Sequence, residues 1–184
     1  MATLKAFTFI TLNGFYKNAD NDISWHQHGK EETKYSEENL KSENILLLGR
    51  HTYQMMESFW TSQMAYDNFP EVAKGMDHSK KIVVSASLEK VNWNNTSVMN
   101  GNLIDEIKEL KKTSKHNITI LGSGSLITQL TNVGLIDTYE IMLDPIAIGQ
   151  GTSIFNGILA SLHLKLIACK TLKSGTVLLN YIKL

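Results

Sequence analysis

The feature that most constrains the fold of this chain is a regular alternation of short apolar runs with segments of helical pattern. The apolar runs are rich in β-branched and aromatic residues and have strand length; they lie at 4–12, 45–49, 80–87, 117–122 and 137–145. Strands that alternate with helices form a mostly parallel sheet with helices on both faces. The sequence therefore predicts an α/β fold.

The segments between these runs have apolar residues at helical spacing or end at turn-forming residues. Helices are predicted at 29–42, 50–60, 102–112 and 125–134, with a shorter one near 66–74 and a short strand at 96–99. The runs LHLKLIACKTL and GTVLLNYIKL close the chain and meet at Lys173, Ser174 and Gly175. This arrangement predicts a C-terminal antiparallel hairpin.

Length and charge limit the possible classes of function. The 184 residues suit a single domain over 1–184, and no apolar run reaches the roughly 18 residues of a membrane span. Eighteen basic and eighteen acidic residues cancel, which argues against a general nucleic-acid binder. The single cysteine, Cys169, has no internal partner, so we expect a reducing cytoplasm and a buried structural thiol.

The stretch ITILGSGSL, at 118–126, stops a strand at two glycines and two serines. A tight strand-to-helix turn points backbone N–H groups outward, and the helix dipole adds partial positive charge, so this turn can bind an anion. The alternative is an ordinary strand-to-helix loop, in which Gly and Ser are common. Ile127 replaces the third glycine of a G-x-G-x-x-G fingerprint, so the motif alone does not decide.

A second loop has the same position relative to its strand. Gly49, Arg50, His51 and Thr52 follow the apolar run 45–49 and begin a helix. Ligands of open parallel sheets bind beyond the carboxyl ends of strands, where both loops are expected. Arg50 can hold a phosphate through two hydrogen bonds; the alternative is a solvated first-turn residue. Because its charge opposes the helix dipole, a ligand or a carboxylate partner is favoured.

Several segments taken together resemble one known family, the dihydrofolate reductase-like proteins. The resemblance runs from FITLNGF to the last strand and is carried by LLLGRHTYQMMESFW, KKIVVSASL, ITILGSGSLITQLTNVGLIDTYEIMLDPIAIGQGTSIF and KSGTVLLNYIKL. The branch is that of the reductase domain of the bacterial riboflavin-biosynthesis deaminase-reductase, the RibD C-terminal domain, with its stand-alone relatives. The resemblance implies a twisted, mostly parallel sheet, often in a homodimer, and hydride transfer from NADPH to a pterin or pyrimidine.

The resemblance also assigns the two loops and the first turn. It implies that the cofactor phosphates, including the 2′-phosphate, are held by Gly49, Arg50, His51 and Thr52. It implies a pyrophosphate site at Gly122, Ser123, Gly124, Ser125 and Leu126. The segment from Leu12 to Phe15, which contains Asn13 and Gly14, matches the region near the nicotinamide.

The substrate side departs from the family pattern. Asn13 precedes Gly14 where many relatives have aspartate, and asparagine cannot act as an acid. Folate reductases carry a buried carboxylate on their first helix; of the glutamates available here, Glu31, Glu32, Glu37 and Glu38, we assign none. The pattern expected for a ribosyl-phosphate substrate is also missing. The catalytic residues are therefore left unassigned.

The loop DNDISWHQHGKEE, at 20–32, is the other candidate for the substrate side. Trp25 makes it a possible substrate lid with a stacking platform; the alternative is a surface loop with one half-buried tryptophan. His26 and His28 are expected to share a strand face without a third ligand, so no metal site is predicted. We expect Asp144 and Pro145 to shape a turn.

Two functions of different class fit the sequence. The first is an NADPH-dependent reductase of a small heterocycle, a pterin or an aminopyrimidine such as 5-amino-6-(5-phosphoribosylamino)uracil, with water supplying the proton. The second is a non-catalytic dinucleotide-binding dimer that acts as a sensor or scaffold. A homodimer is expected in both cases, because the two long apolar terminal strands would otherwise leave an exposed edge.

Overall fold

The predicted alternation of strands and helices is present along the chain in the computed structural model, which describes residues Met1–Leu184. The ten strands are β1 (Leu4–Thr11), β2 (Phe15–Asn18), β3 (Ile45–Gly49), β4 (Lys81–Val84), β5 (Thr96–Met99), β6 (Ile118–Leu121), β7 (Thr138–Asp144), β8 (Gly151–Ser153), β9 (Leu164–Thr171) and β10 (Val177–Lys183). The six helices are α1 (Lys30–Leu40), α2 (Arg50–Trp60), α3 (Gln63–Asn68), α4 (Pro70–His78), α5 (Leu103–Thr113) and α6 (Gly124–Asn132).

Eight strands form one sheet in the order β5-β4-β3-β6-β1-β7-β10-β9. The neighbours from β5 to β7 in this order are paired in parallel, and β10 is antiparallel to both β7 and β9. Thr11 at the end of β1 lies opposite Asp144 at the end of β7. The predicted α/β class, with a mostly parallel sheet and a C-terminal hairpin, is confirmed.

The sheet separates two hydrophobic cores. One core contains Leu47 with Leu130 of α6, and the other contains Leu48 with Tyr53 of α2. Successive strand residues point to opposite faces, so the continuous apolar run of β3 is buried on both sides. Consequently α2 and α6, which follow the neighbouring strands β3 and β6, pack on opposite faces of the sheet. A crevice opens between such helices at the carboxyl ends of their strands.

A separate ribbon of two short strands was not expected from the sequence. β2 pairs with β8 in antiparallel orientation, with a register irregularity between Phe15 and Lys17. A Cβ atom on Gly151 would collide with the backbone carbonyl oxygen of Lys17, so the close pairing requires glycine there. The segments FYKN and GTS are too short and polar to show an alternating pattern.

The single short helix expected near 66–74 is instead two helices. Pro70 begins α4 at its first position, where a missing N–H costs nothing, and it cannot continue α3. The Ser62 side chain caps α3 by accepting a hydrogen bond from the N–H of Ala65. None of the six helices combines the length and hydropathy needed to cross a membrane.

The expectation of a buried thiol at Cys169 is wrong. Cys169 is exposed, as are all residues of β9 from Lys165 to Thr171. Its apolar sequence neighbours indicated burial, but β9 is the outermost strand of the sheet and both of its faces are accessible. The position of a strand in the sheet order cannot be derived from its own composition.

Lys81 is fully buried at the start of β4, where it closes the C-terminal end of α4. Its Nζ donates hydrogen bonds to the carbonyl oxygens of Met76, Asp77 and Ser79, at 2.6, 3.1 and 2.7 Å. The ammonium also lies 4.5 Å from the centre of the Trp93 ring. Burial lowers the pKa of Lys81 from 10.5 to about 8, although the charge of Asp77 opposes this shift.

This shift predicts a stability that rises with pH. Between about pH 8 and 10.5 the native state binds fewer protons than the unfolded state, so raising the pH favours folding. From pH 7.5 to 9.5 the free energy of unfolding should gain about 1–2 kcal/mol in the wild type, and Lys81→Met should lack this gain. Urea denaturation at the two pH values measures it. An equal pH response in both proteins would contradict the assignment.

Candidate active site

The crevice between β3 and β6 is bridged by the side chain of Ser123. The N–H of Gly49, at the end of β3, donates to Ser123 Oγ at 2.8 Å. Ser123 Oγ in turn donates to Thr52 Oγ1 in the first turn of α2, at 2.9 Å. The structure therefore brings together the two loops that the sequence singled out, and it joins the starts of α2 and α6.

The turn that carries Ser123 has an unusual backbone. Gly122 and Ser123 are both left-handed, with φ of 54° and 46°. Glycine adopts this conformation freely, whereas serine is strained in it and is held here by burial and by its two hydrogen bonds. After this reversal, the N–H groups of Gly124 and Ser125 begin α6 and have no intrahelical acceptor. They form a donor site at a helix N-terminus.

Leu126 has a different role from the other residues of this loop. Its side chain is 3 % exposed and packs in the core, and its N–H donates to the carbonyl oxygen of Ser123. Its contribution to the loop is therefore packing.

The bare backbone of Gly124 is covered by Tyr16 of the β2 ribbon. A Cβ atom on Gly124 would lie 2.5 Å from Tyr16 Cζ, so the ring already requires glycine at this position. Burial raises the pKa of Tyr16, which keeps the phenol neutral. Sequence reasoning missed Tyr16, because the ribbon that positions it was not predicted.

Arg50 lies exposed at the start of α2 and forms no ion pair with a carboxylate. Its Nη1 donates to Ser87 Oγ at 3.3 Å, and its Nη2 is 3.4 Å from His51 Nε2. The sequence favoured either a ligand or a carboxylate as the partner of Arg50, and the structure contains no such carboxylate. The guanidinium is left available to an anion beside the carboxyl ends of β3 and β4.

Asn13 and Gly14 form the turn after β1. Asn13 Nδ2 donates to the carbonyl oxygen of Ile148 at 2.8 Å, and its Oδ1 accepts a hydrogen bond from Thr11 Oγ1 at 2.8 Å. Gly14 has φ of 83°, which favours glycine. The Asn13 side chain thus ties the turn to the segment after β7.

A second polar cluster lies at the carboxyl ends of β1 and β7 and includes His26 from the loop at 20–32, which we name the lid loop. His26 Nδ1 is 2.9 Å from Asp144 Oδ2, and Thr176 Oγ1 donates to Asp144 Oδ1 at 3.1 Å. The imidazole stacks on Phe9, with ring centres 3.6 Å apart. His26 and Asp144 are 5 % and 1 % exposed. Asp144 and Pro145 form the expected turn, in which the N–H of Ile146 donates to the carbonyl oxygen of Asp144. The Asp144 side chain also anchors a histidine 118 residues away, which was not expected.

Two nitrogen atoms of the lid loop are buried without a hydrogen-bond partner. These are Trp25 Nε1 and His26 Nε2. Trp25 is half-buried, as the surface-loop alternative also anticipated. The loop has no strand, so His26 and His28 do not share a strand face, but their rings meet edge to face at 4.8 Å. Burial and the neighbouring His26 lower the pKa of His28.

Glu32 is the one glutamate of α1 that is buried. Glu32 is 3 % exposed and accepts a hydrogen bond from Ser174 Oγ at 2.5 Å. Glu31 accepts one from the N–H of Lys173 at 2.5 Å. Both contacts fasten the first turn of α1 to the tip of the β9–β10 hairpin. The sequence could not show which glutamate is buried, because each glutamate is 142 residues from its hydrogen-bond partner in the hairpin.

A cavity of about 430 Å³ lies beside α1 and is open to solvent. Its walls are mostly polar or charged, and they are formed by His28, Lys30, Thr33, Lys34, Glu37, Asn68 and Phe69. No group of three or more His, Cys, Asp or Glu side chains is arranged to hold a metal ion. The lid loop thus contributes His26 to the buried pair with Asp144 and His28 to the wall of an open cavity.

Known proteins resemble the chain over its whole length. An uncharacterised protein of Bacillus subtilis (strain 168), YyaP, is 26% identical over 174 residues, covering 94% of this chain and 90% of YyaP. A putative riboflavin biosynthesis protein from Shewanella sp. PV-4 has a TM-score of 0.79 at 20% identity, covering 100% of this chain and 99% of that one. Dihydrofolate reductase from Enterococcus faecalis, complexed with NADP(H), has a TM-score of 0.64 at 16% identity, covering 98% and 96%.

The two structural neighbours share the fold, which is dihydrofolate reductase-like. The family model described as the RibD C-terminal domain matches residues 2–178, almost the entire chain. The chain is a member of the RibD C-terminal domain family.

Proposed function

We propose that this protein is a reductase that transfers a hydride from NADPH to a small heterocycle. The observation that carries the proposal is the bridge from Gly49 through Ser123 to Thr52, which joins two helix starts at one crevice. Such a crevice at a change of helix direction is where open α/β sheets bind nucleotides. The family membership supports a reductase.

The pyrophosphate is assigned to the start of α6. The N–H groups of Gly124 and Ser125 and the dipole of the helix favour an anion there. Ser123 is already engaged with Gly49 and Thr52, so its hydroxyl holds the loop in shape while the backbone N–H groups bind. Tyr16, which lies against Gly124, would cover the bound cofactor or move aside from it.

The 2′-phosphate of the cofactor is assigned to Arg50. The guanidinium has no carboxylate partner, and Ser87 and His51 lie beside it as further hydrogen-bonding groups. A two-pronged contact from arginine to phosphate is both strong and directional. The NADP(H) complex of the Enterococcus faecalis reductase supports the same cofactor.

The substrate is assigned to the class of pterins and aminopyrimidines, with 5-amino-6-(5-phosphoribosylamino)uracil of riboflavin biosynthesis as the named example. The similarity to a putative riboflavin biosynthesis protein supports this class. The lid loop with Trp25 and the cavity beside α1 provide an apolar ring surface and polar walls for such a ring. The free thiol of Cys169 fits a reducing cytoplasm.

A non-catalytic, dinucleotide-binding sensor or scaffold is the second candidate. It is favoured by Asn13, whose side chain is fully used in the turn and cannot supply a proton. The absorbance of the nicotinamide separates the two candidates: oxidation of NADPH on addition of a pterin or aminopyrimidine supports the reductase. Cofactor binding without any oxidation supports the sensor.

Assembly into a homodimer is proposed from the exposed edge of the sheet. β9 presents Leu166 and Ile167, which are 47% and 55% exposed, on its two faces. A long edge strand with apolar residues invites pairing with a second copy. The hairpin tip also holds α1 through Glu32, so a partner at β9 would lie on the same element that supports the lid loop.

Loss of the Arg50 side chain should discriminate between the two nicotinamide cofactors. Arg50→Ala is expected to weaken NADPH binding about ten- to a hundredfold, because a charged hydrogen bond to phosphate contributes roughly 1.5–3 kcal/mol. NADH, which lacks the 2′-phosphate, should bind almost unchanged. Isothermal titration measures both. Lys115→Ala, which removes a positive charge before β6 at the amino ends of the strands, is the control; equal losses for both cofactors would refute the assignment.

A side chain at Gly124 should affect both the fold and the cofactor site. Gly124→Val forces Tyr16 away and is expected to lower the free energy of unfolding by about 1–3 kcal/mol. NADPH and NADH binding should fall together, because both contain the pyrophosphate. The double variant with Tyr16→Ala should regain stability but not binding. If it binds as tightly as Tyr16→Ala alone, the loop does not hold the pyrophosphate.

The dimer proposal is tested by mass in solution. Light scattering at micromolar concentration should give twice the chain mass of 20.6 kDa for the wild type. Ile167→Lys places a charge on β9 and should shift the population toward the monomer, while Val133→Lys, directly after α6, serves as a matched exposed control. A monomeric wild type would refute the proposal.

A further inference from the structure

Trp25 Nε1 and His26 Nε2 are two buried nitrogen atoms without partners on adjacent residues of the lid loop. Buried polar groups are almost always hydrogen-bonded, because leaving water without a new partner is unfavourable. Two exceptions side by side, with ring centres 6.4 Å apart, mark a place where a polar ligand completes the structure.

The Nδ1 atom of the His26 ring has a defined hydrogen-bond partner, Asp144. Asp144 accepts hydrogen bonds from Thr176 Oγ1 and from His26 Nδ1, which fixes Nδ1 as the protonated nitrogen. With Nδ1 protonated, Nε2 accepts a hydrogen bond in the neutral ring and donates one only in the imidazolium form. The ring cannot rotate freely, since Phe9 stacks on it at 3.6 Å. Nε2 is thus held in a fixed direction.

The His26–Asp144 pair lies beside the end of β1, the strand that precedes the turn with Asn13 and Gly14. Asp144 is the register partner of Thr11, and Leu12–Phe15 follow directly. Two titratable groups contact the His26 ring: Asp144 on β7 and His28 in the same loop. The charge of Glu32 on α1 acts on His28, where it opposes the lowering of the pKa. On the β1 side the ring stacks on Phe9, and Thr176, just before β10, reaches it through Asp144.

We propose that His26 is the catalytic acid of the reductase and that Trp25 Nε1 binds the same substrate ring. The inference rests on the proposed function and adds the group that delivers the proton. The reduced nicotinamide transfers a hydride to the carbon of a C=N bond in the heterocycle. The π electrons of that bond take the proton from His26 Nε2 and form an N–H bond, and the nicotinamide leaves oxidised. Solvent then reprotonates His26 past the exposed ring of His28.

Binding tests the site without the cofactor. Protein labelled with ¹⁵N is titrated with 5,6-diaminouracil and with 6,7-dimethyl-7,8-dihydropterin, and the Trp25 indole and His26 imidazole signals are followed by NMR. We expect both signals to shift together with at least one probe. His26→Asn keeps an N–H donor for Asp144 but lacks Nε2, so it should fold normally and bind that probe roughly tenfold more weakly. His163→Asn, at an exposed site before β9, is the matched control.

Turnover tests the proton transfer. The turnover substrate is 6,7-dimethyl-7,8-dihydropterin, whose N5=C6 bond can accept a hydride; 5,6-diaminouracil has no C=N bond and is used for binding only. With the dihydropterin, His26→Asn should lower kcat about a hundredfold or more while leaving the KM for NADPH nearly unchanged. Shifts of the two signals by the dihydropterin without NADPH oxidation in the wild type would refute the proposed reductase yet retain the ligand site. Unshifted Trp25 and His26 signals with both probes, or a wild-type kcat in His26→Asn, would refute this inference.

Discussion

The hydroxyl of Ser123 forms the contact on which the arrangement of the site depends. Its two hydrogen bonds connect the end of β3, the first turn of α2 and the left-handed turn before α6. Because α2 and α6 pack on opposite faces of the sheet, no hydrophobic contact between them would hold their starts together. A buried polar group has to do so, and its own strained backbone is stabilised in return by these bonds. The spacing of two anion-binding helix starts thus follows from one side chain.

The buried pair of His26 and Asp144 lies on the β7 side of β1, whereas Ser123 lies on the β6 side. The Asp144 carboxylate orients His26, and the Glu32 carboxylate fastens α1 to the hairpin tip. Both acceptors come from parts of the chain far from their partners, so the lid loop is held between the ends of β1 and β7 and the C-terminal hairpin. The Ser123 bridge serves the proposed cofactor, and the Asp144 pair serves the proposed substrate. Thr11, the register partner of Asp144, donates a hydrogen bond to Asn13 in the turn after β1.

Much of the fold was predictable because it rests on local patterns. β3 and α2 have the predicted bounds, since a fully buried parallel strand is continuously apolar and its helix begins where that run stops. The positions of the two loops after β3 and β6 were also predictable, because each apolar run stops at a glycine that a helix follows. The β2–β8 ribbon and the exposure of Cys169 were not, because pairing of short polar segments and the place of β9 at the sheet edge depend on distant residues.

The sequence by itself therefore determined the order of elements, the two-sided burial of the parallel strands and the loops where a dinucleotide is expected. The family resemblance added the expected cofactor and the expected class of reaction. Only the tertiary structure decided which polar side chains meet: Ser123 with Thr52, His26 with Asp144, Glu32 with Ser174, Tyr16 with Gly124. The reason is physical. Local periodicity reports which face of an element is buried, whereas the partner of a buried polar group is set by sheet order and register over 70 residues or more.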